Sequence, residues 1–409
     1  MNDLTEHLVH EAEGFDRRGG SPLDIEQVLE RAGEIKRGRR LRATLVMAAA
    51  VLAIAVPAGL VALDRDGSRE PSPAPSPVKV DRSPITLATL AAGARPAAGW
   101  MQGQVWHRPD DSQFQFSGGR AFAVAPLGGF TVVASSGDQG QRAYLVPPVG
   151  STNHEVTSWP MEGGFGVSAD GAMVAFVRPD GLPVVLESDT RAKGITNHEL
   201  PKVPRGSGFD AVAITGTTCD SPSDSVCAVW VTTSGKSVES WVSTPEGTSL
   251  IHAASGSPDM VHPNLWRVVD VLEDGTKAVM TQVNDTGSCS EIRSPDVAAL
   301  WATCDDRFLS FSPDGQHLLA SSAYADGAGD NRLVVLDAAR GRPLLDLRTT
   351  DGAFIGQMVW EDDSHVLATV SDGGRWAIVR IGLDGSREYA VAPVTGKDPY
   401  ESPFVLPSR

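Results

Sequence analysis

From about residue 100 to the C-terminus, short apolar runs alternate with breaks rich in glycine, aspartate and proline. The stretch from Arg307 shows the plan most openly. "RFLSFS" stops at "PDG", "QHLLASS" comes next, and after a polar loop come "RLVVLD", "AARGR" and "PLLDLR". Runs this short, dense in Val, Leu, Ile and Phe, predict strands buried on both faces rather than amphipathic helices. A second copy reads "FIGQMVW", "HVLATVS", "WAIVRIGL", "REYAVAPV", and earlier copies begin near Ala121, Gly164, Phe209 and Leu265. Units of four strands recurring at about 40–55 residues predict a repeat array.

The first break of each unit is a hairpin turn: "PLGG", "SADG", "EDG", "PDG", "EDDS", and the longer "TTCDSPSDSVC". Glycine accepts positive φ and aspartate bonds its own backbone, so these residues close hairpins at little cost. Their polar residues vary between copies, which suits folding better than chemistry. The expected fold is all-β, a beta-propeller of six four-stranded blades, because a ring leaves no long free sheet edge. "WMQGQVWHRPDDSQFQF" and the C-terminal "ESPFVLP" supply strands for ring closure or a seventh blade. Tryptophans such as Trp230, Trp241, Trp301, Trp360 and Trp376 are expected to pack between blades.

The first hundred residues show another pattern. Ala43 to Leu63, "ATLVMAAAVLAIAVPAGLVAL", carries no charge. As a helix it would be ~31 Å long, enough to cross a ~30 Å hydrocarbon core. Lys36, Arg37, Arg39, Arg40 and Arg42 crowd its N-terminal side. By the positive-inside rule this keeps 1–42 in the cytoplasm and exports the chain beyond about residue 64. A signal peptide cut after Ala58 is the competing reading; a lead of some 40 residues is long for one. Within 1–42, Ser21, Pro22 and Asp24 open a helix whose Ile25, Val28, Leu29, Ala32 and Ile35 share one face. Residues 64–84 alternate proline and serine, as an extended spacer does. The expected organisation is therefore 1–42 cytoplasmic, 43–63 transmembrane helix, 64–84 spacer and 85–409 extracytoplasmic propeller.

The formal charge is −16, of which 1–42 (8 basic, 9 acidic) contribute about −1. The acidic remainder repels phosphate backbones, so no nucleic acid is expected as a partner. All four cysteines, Cys219, Cys227, Cys289 and Cys304, lie in the exported part. An oxidising compartment and short spacing favour disulfides 219–227 and 289–304 over a zinc site, since neither pair has C-x2-C spacing. No Ser-His-Asp set, nucleophile elbow or phosphate loop stands out, so no catalytic, cofactor-binding or metal residues are predicted.

"FSPDGQHLLASS", Phe311 to Ser322, resembles the repeat of TolB-like and WD-repeat-like propellers, over roughly residues 100–400. The Trp-Asp and Gly-His pairs of true WD repeats are missing. The whole arrangement is also similar to actinobacterial single-pass membrane proteins, some of which accompany extracytoplasmic-function sigma factors. The resemblance implies a binding platform more than an enzyme. The expectation is a membrane-anchored, non-enzymatic binding or sensing module for an extracytoplasmic protein, peptide or glycan. Two alternatives are an exported hydrolase or lyase with its site in the central channel, and an anti-sigma-like signalling protein whose cytoplasmic segment meets a sigma factor. The chain lacks the His-x3-Cys-x2-Cys motif of zinc anti-sigma domains.

Overall fold

The computed structural model describes residues 80–408, apart from 149–155, 190–193, 205–206, 221–225, 235–236, 256–266, 285–286, 325–328 and 399. The predicted membrane span at 43–63, the arginine-rich flank at 36–42 and the helix after Ser21 lie outside the described residues. Among the described residues no helix is long and apolar enough to cross a membrane.

The described residues form seven sheets, each a blade of a beta-propeller. Blades 2 to 7 are continuous in sequence. They start with strands Arg120–Leu127, Glu162–Val167, Ser207–Thr215, Arg267–Val271, Asp306–Phe311 and Phe354–Trp360. Each continues antiparallel through three more strands, so blade 6 holds Asp306–Phe311, His317–Ser322, Arg332–Asp337 and Pro343–Arg348 in that order. Blade 1 is composite. The C-terminal strand Phe404–Val405 pairs antiparallel with Trp100–Gln102, which continues to Val105–His107 and Gln113–Gln115. The two leftover stretches thus make a complete seventh blade, built from both ends of the propeller sequence.

First strands of most neighbouring blades touch one another, as an inner ring about the axis does. The second and third strands lie deep inside, as in blade 3, where Met173, Val174, Ala175, Phe176 and Val177 are all buried. Their continuous apolar runs reflect burial against both adjacent blades. Trp360 and Trp376 are buried as well, as interblade packing requires. Backbone N–H groups that the twisted blades leave unpaired are met by side chains of the preceding blade. Ser240 Oγ accepts from Val268 N at 3.2 Å, Ser290 Oγ from Phe308 N at 3.4 Å, and Gln357 Oε1 from Leu406 N at 2.8 Å. Such bonds satisfy buried donors and fix each blade's register against its neighbour.

The segment from Asp81 to Ala98 is a strap. Asp81 and Ile85 bridge in parallel to Leu345 and Thr349 at the edge of blade 6, and Ala91–Ala92 pairs in parallel with Glu388 and Tyr389 of blade 7. Ile85 and Leu87 sink into the core shared by those two blades. The strap covers two sheet edges that would otherwise lie open. Asp81 and Arg82, which composition places with the spacer, belong to this docked strap. Arg387 pairs with the Asp81 carboxylate, which lies beside Gly385 in the third turn of blade 7. First and third turns of a blade share one face of the ring, so Asp81 lies on the face that carries the first turns.

An ion cluster locks the strap down. Arg380 of blade 7 pairs with Glu361 and Glu388, and donates to the carbonyls of Ala94 at 2.8 Å and Arg95 at 2.9 Å. Glu361, 3% exposed, accepts from Ala97 N at 2.6 Å. The side-chain bonds that Arg380 donates to Glu361 hold it above its ordinary pKa against the opposing effect of burial.

Two disulfides are present. Cys219–Cys227 closes the long first loop of blade 4, and Cys289–Cys304 joins the third strand of blade 5 to the residue after its outer strand. Both halves of the first are buried in the core between blades 3 and 4. Replacing Cys289 and Cys304 together by serine should cost about 3 kcal/mol, the chain-entropy value for a loop of this length. Urea unfolding of wild type and variant under non-reducing conditions measures the loss.

Candidate functional site

The first turns of several blades converge on a cavity of about 740 Å³ at one mouth of the central channel. Its wall consists chiefly of 167–171 in blade 3, 270–274 in blade 5 and 311–315 in blade 6, with Val212 and Ile214 of blade 4 facing them. Pro126 and Gly128 of blade 2, Trp360 of blade 7 and Ser408 of the C-terminal tail complete it. The turns that mark the repeat in sequence therefore build this concavity.

Two of these turns are identical in detail. In blade 3 the Ser168 hydroxyl donates to Asp170 Oδ1 at 2.7 Å, Ala172 N donates to the same oxygen at 2.9 Å, and Met173 N donates to Ser168 Oγ at 2.9 Å. In blade 6 Ser312, Asp314, Gln316 and His317 repeat the pattern at 2.6, 3.0 and 2.9 Å. Gly171 and Gly315 complete the turns at φ 68° and 70°, a conformation that favours glycine. Blade 5 has Leu272 in place of the serine, and its Asp274 Oδ1 accepts only from Thr276 N, at 2.8 Å, among the bonds described. The variation read in sequence is thus real in blades 5 and 7 and absent between blades 3 and 6. The shared Ser-x-Asp-Gly spacing of "VSADG" and "FSPDG" is the signal that carries this.

Five carboxyl groups line the cavity: Asp170, Asp270, Glu273, Asp274 and Asp314. Among the described lining residues there is no histidine, lysine, arginine, tyrosine or cysteine. Lys277 is the cation close to Asp274, but it is buried outside the wall. Its ammonium donates to the carbonyls of Gly275 at 2.8 Å and Pro295 at 3.3 Å and lies over the Trp230 ring. Burial lowers the Lys277 pKa even against the pull of Asp274 and Asp296. At Asp314, burial pushes the pKa up, but bonds from Ser312 and Gln316 and the nearby His317 outweigh it and leave the group below its ordinary value.

Asp270 differs from the others. It stands near the end of the inner strand of blade 5, and its carboxylate accepts from Val271 N and from Phe311 N of blade 6, both at 2.8 Å. Burial pushes its pKa up to about 7 in spite of those two donors. Between about pH 4 and 7 the folded protein therefore holds a proton that the unfolded chain has lost, so stability should fall as pH rises through that window. The fall is at most about 4 kcal/mol, the full shift converted at 1.36 kcal/mol per pH unit. Asparagine does not titrate, so the stability of wild type relative to Asp270→Asn should decline from pH 4 to 8. Urea midpoints of the two proteins across that range measure the decline.

One grouping elsewhere has catalytic residue types without catalytic geometry. In the first turn of blade 7, Ser364 Oγ and the Asp362 carboxylate both meet His365 Nδ1 at 3.0 Å. A relay needs the acid and the hydroxyl on opposite ring nitrogens. Here all three residues cap one exposed turn. Asp330, just before the third strand of blade 6, accepts from Arg332 N and lies 3.6 Å from Arg307, and among the described residues no group of side chains is arranged to hold a metal ion.

No family model matches this chain, and no curated protein matches it either. Among solved structures it is similar to the dihydro-heme d1 dehydrogenase NirN in complex with DHE, at 14% identity and TM-score 0.41, covering 81% of this chain and 82% of that one. It is similar to the beta-propeller domain of the trilobed protease from Pyrococcus furiosus, described as having an open velcro topology, at 12% identity and TM-score 0.41, over 66% of this chain and 85% of that one. The beta-propeller domain of Cps50 (Swd1) from Myceliophteria thermophila is a third, at 13% identity and TM-score 0.42, over 73% and 95%. The assignment of this chain as a seven-bladed beta-propeller rests on its own sheets.

Proposed function

We propose that this chain is a single-pass membrane protein whose extracytoplasmic, TolB-like propeller is a non-enzymatic binding or sensing module, with its ligand site at the first-turn mouth of the channel. The observation that carries this reading is the cavity itself. It falls within the ~300–1,000 Å³ range of ligand pockets and mixes apolar wall with a few oriented polar groups. Export is supported by the two disulfides, which persist in oxidising compartments, and by the arginine-flanked apolar run at 43–63. The membrane is then one partner, and a protein, peptide or glycan outside the cell the other.

The hydrolase or lyase reading draws on Asp270, whose proton is held near neutrality. Asp270 is engaged by two backbone donors, however, and the described lining residues include no histidine, lysine or arginine to work beside it. The wall therefore favours binding. In the signalling version, residues 1–42 pass occupancy of the mouth to a cytoplasmic partner such as a sigma factor; their deletion should then alter transcription while leaving the exported propeller intact.

The test is photo-crosslinking in intact cells. Benzoylphenylalanine in place of Ala169, on the cavity wall, should give an adduct of defined mass, and the same residue in place of the exposed Asp138 in blade 2 should not. Adducts at Asp138 with none at Ala169 would contradict the reading.

A further inference from the structure

We propose that the mouth takes aliphatic ammonium groups on methylene stems, either in a free oligoamine or as lysine side chains of an extended peptide. This inference rests on the mouth being the binding site and adds the chemistry of what enters it.

Three features of the cavity lead there. First, among the described lining residues the charges are of one sign. Carboxylates from blades 3, 5 and 6 face a common space, and Lys277, the neighbouring cation, is turned away into carbonyl oxygens. A low-dielectric pocket lined by one sign of charge concentrates ligands of the other sign. Second, the carboxylates come from three blades, and the same wall carries the apolar side chains of Val167, Val212, Ile214, Leu272 and Phe311. A ligand matching that layout has more than one positive charge, spaced by hydrocarbon. Methylene chains supply such spacing, and each buried methylene contributes ~0.8 kcal/mol. Third, the turns use their carboxylates one-sidedly. Asp170, Asp274 and Asp314 accept the bonds of their own turns through Oδ1, which leaves Oδ2 for a ligand. A single available oxygen suits the point charge of an ammonium better than the two-pronged guanidinium fork. Glu273 is committed in the same way, with Oε2 accepting from Gly216 N at 2.8 Å.

The experiment is calorimetric titration of the full chain in neutral-lipid nanodiscs, at pH 7.5 and low salt, with spermidine, trilysine, triarginine and trialanine as probes. Spermidine and trilysine should bind, trialanine should not, and triarginine should bind more weakly than trilysine. The triple variant Asp170→Asn, Asp274→Asn, Asp314→Asn keeps a carbonyl acceptor in each turn and should melt as wild type does, yet weaken trilysine by about tenfold or more, as the loss of three exposed charge contacts implies. A control removing as many charges elsewhere, Asp138→Asn, Glu246→Gln and Asp351→Asn, should stay within about twofold of wild type. The proposal is overturned if neither amine binds, if both triple variants weaken binding equally, or if triarginine binds as tightly as trilysine. A photo-adduct at Ala169 that proves neutral or anionic would keep the mouth as the site and sink the ammonium chemistry alone.

Discussion

Deletion of residues 403–409 should abolish the cooperative melt of the propeller. Phe404, Val405 and Leu406 are all buried, Phe404–Val405 forms the inner strand of blade 1, Leu406 N bonds Gln357 of blade 7, and Ser408 N bonds the Val124 carbonyl of blade 2 at 2.6 Å. This short tail therefore ties together three consecutive blades where the ring closes. Burying three such side chains contributes roughly 5–9 kcal/mol at ~1.5–3 kcal/mol each, comparable with the whole ~5–15 kcal/mol by which a typical domain is stable. Removal also exposes the edge of Trp100–Gln102, which invites pairing with other chains. Phe404→Ala, a milder lesion, should cost about 3–5 kcal/mol through the cavity it leaves. Circular dichroism melts of the three proteins give the comparison. A truncated chain that melted like wild type would mean that closure by the C-terminal strand is not what holds the ring.

Arg380→Ala should be the most damaging single substitution of a charged residue. It strands Glu361, 3% exposed, without its guanidinium and removes the donors that hold the carbonyls of Ala94 and Arg95. Breaking a buried pair by deleting one partner typically costs about 3–5 kcal/mol, because the remaining charge stays desolvated. The double variant Arg380→Met, Glu361→Gln removes both charges and should recover much of that loss, a coupling that a double-mutant cycle in urea reads directly. The damage should be local in origin. Hydrogen exchange at Ile85 and Leu87, whose side chains anchor the strap, should speed up in Arg380→Ala before the blade 3 interior does.

The contrast between these two elements explains what could be read from sequence. The blades were legible because each strand is long enough to show its own apolar run, and because the turns repeat with glycine and aspartate in register. "RLVVLD" and "PLLDLR" coincide with Arg332–Asp337 and Pro343–Arg348. The closing blade was visible only as surplus strands at the two ends, since its strands are two or three residues long and its inner strand comes from the opposite terminus. The strap was not legible as a paired element. It pairs through one or two residues at a time, in parallel, and its placement is decided by Ile85 and Leu87 entering a core made by blades 6 and 7. Nothing local in "DRSPITLATLAAGA" encodes those partners, which lie some three hundred residues away in Arg387 and Tyr389.

The site divides in the same way. The turn residues Asp170, Asp274 and Asp314 stand out in sequence as hairpin formers, and only the ring brings them round one space. Asp270 is indistinguishable from any other strand carboxylate in "RVVDVLEDG". Its raised pKa comes from burial and its second donor from Phe311, 41 residues away on the next blade. The pairing of the cysteines was legible because both bridges close short loops.

Both binding proposals presuppose that the propeller stands outside the cell on a single span, and a membrane-impermeant maleimide tests that most directly. No free cysteine occurs among the described residues, so an introduced thiol reports its own location. Ser76→Cys, beyond the apolar run, should be labelled in intact cells, whereas Ser21→Cys should be labelled only after the membrane is opened. Labelling of Ser21→Cys from outside, with Ser76→Cys protected, would contradict the account.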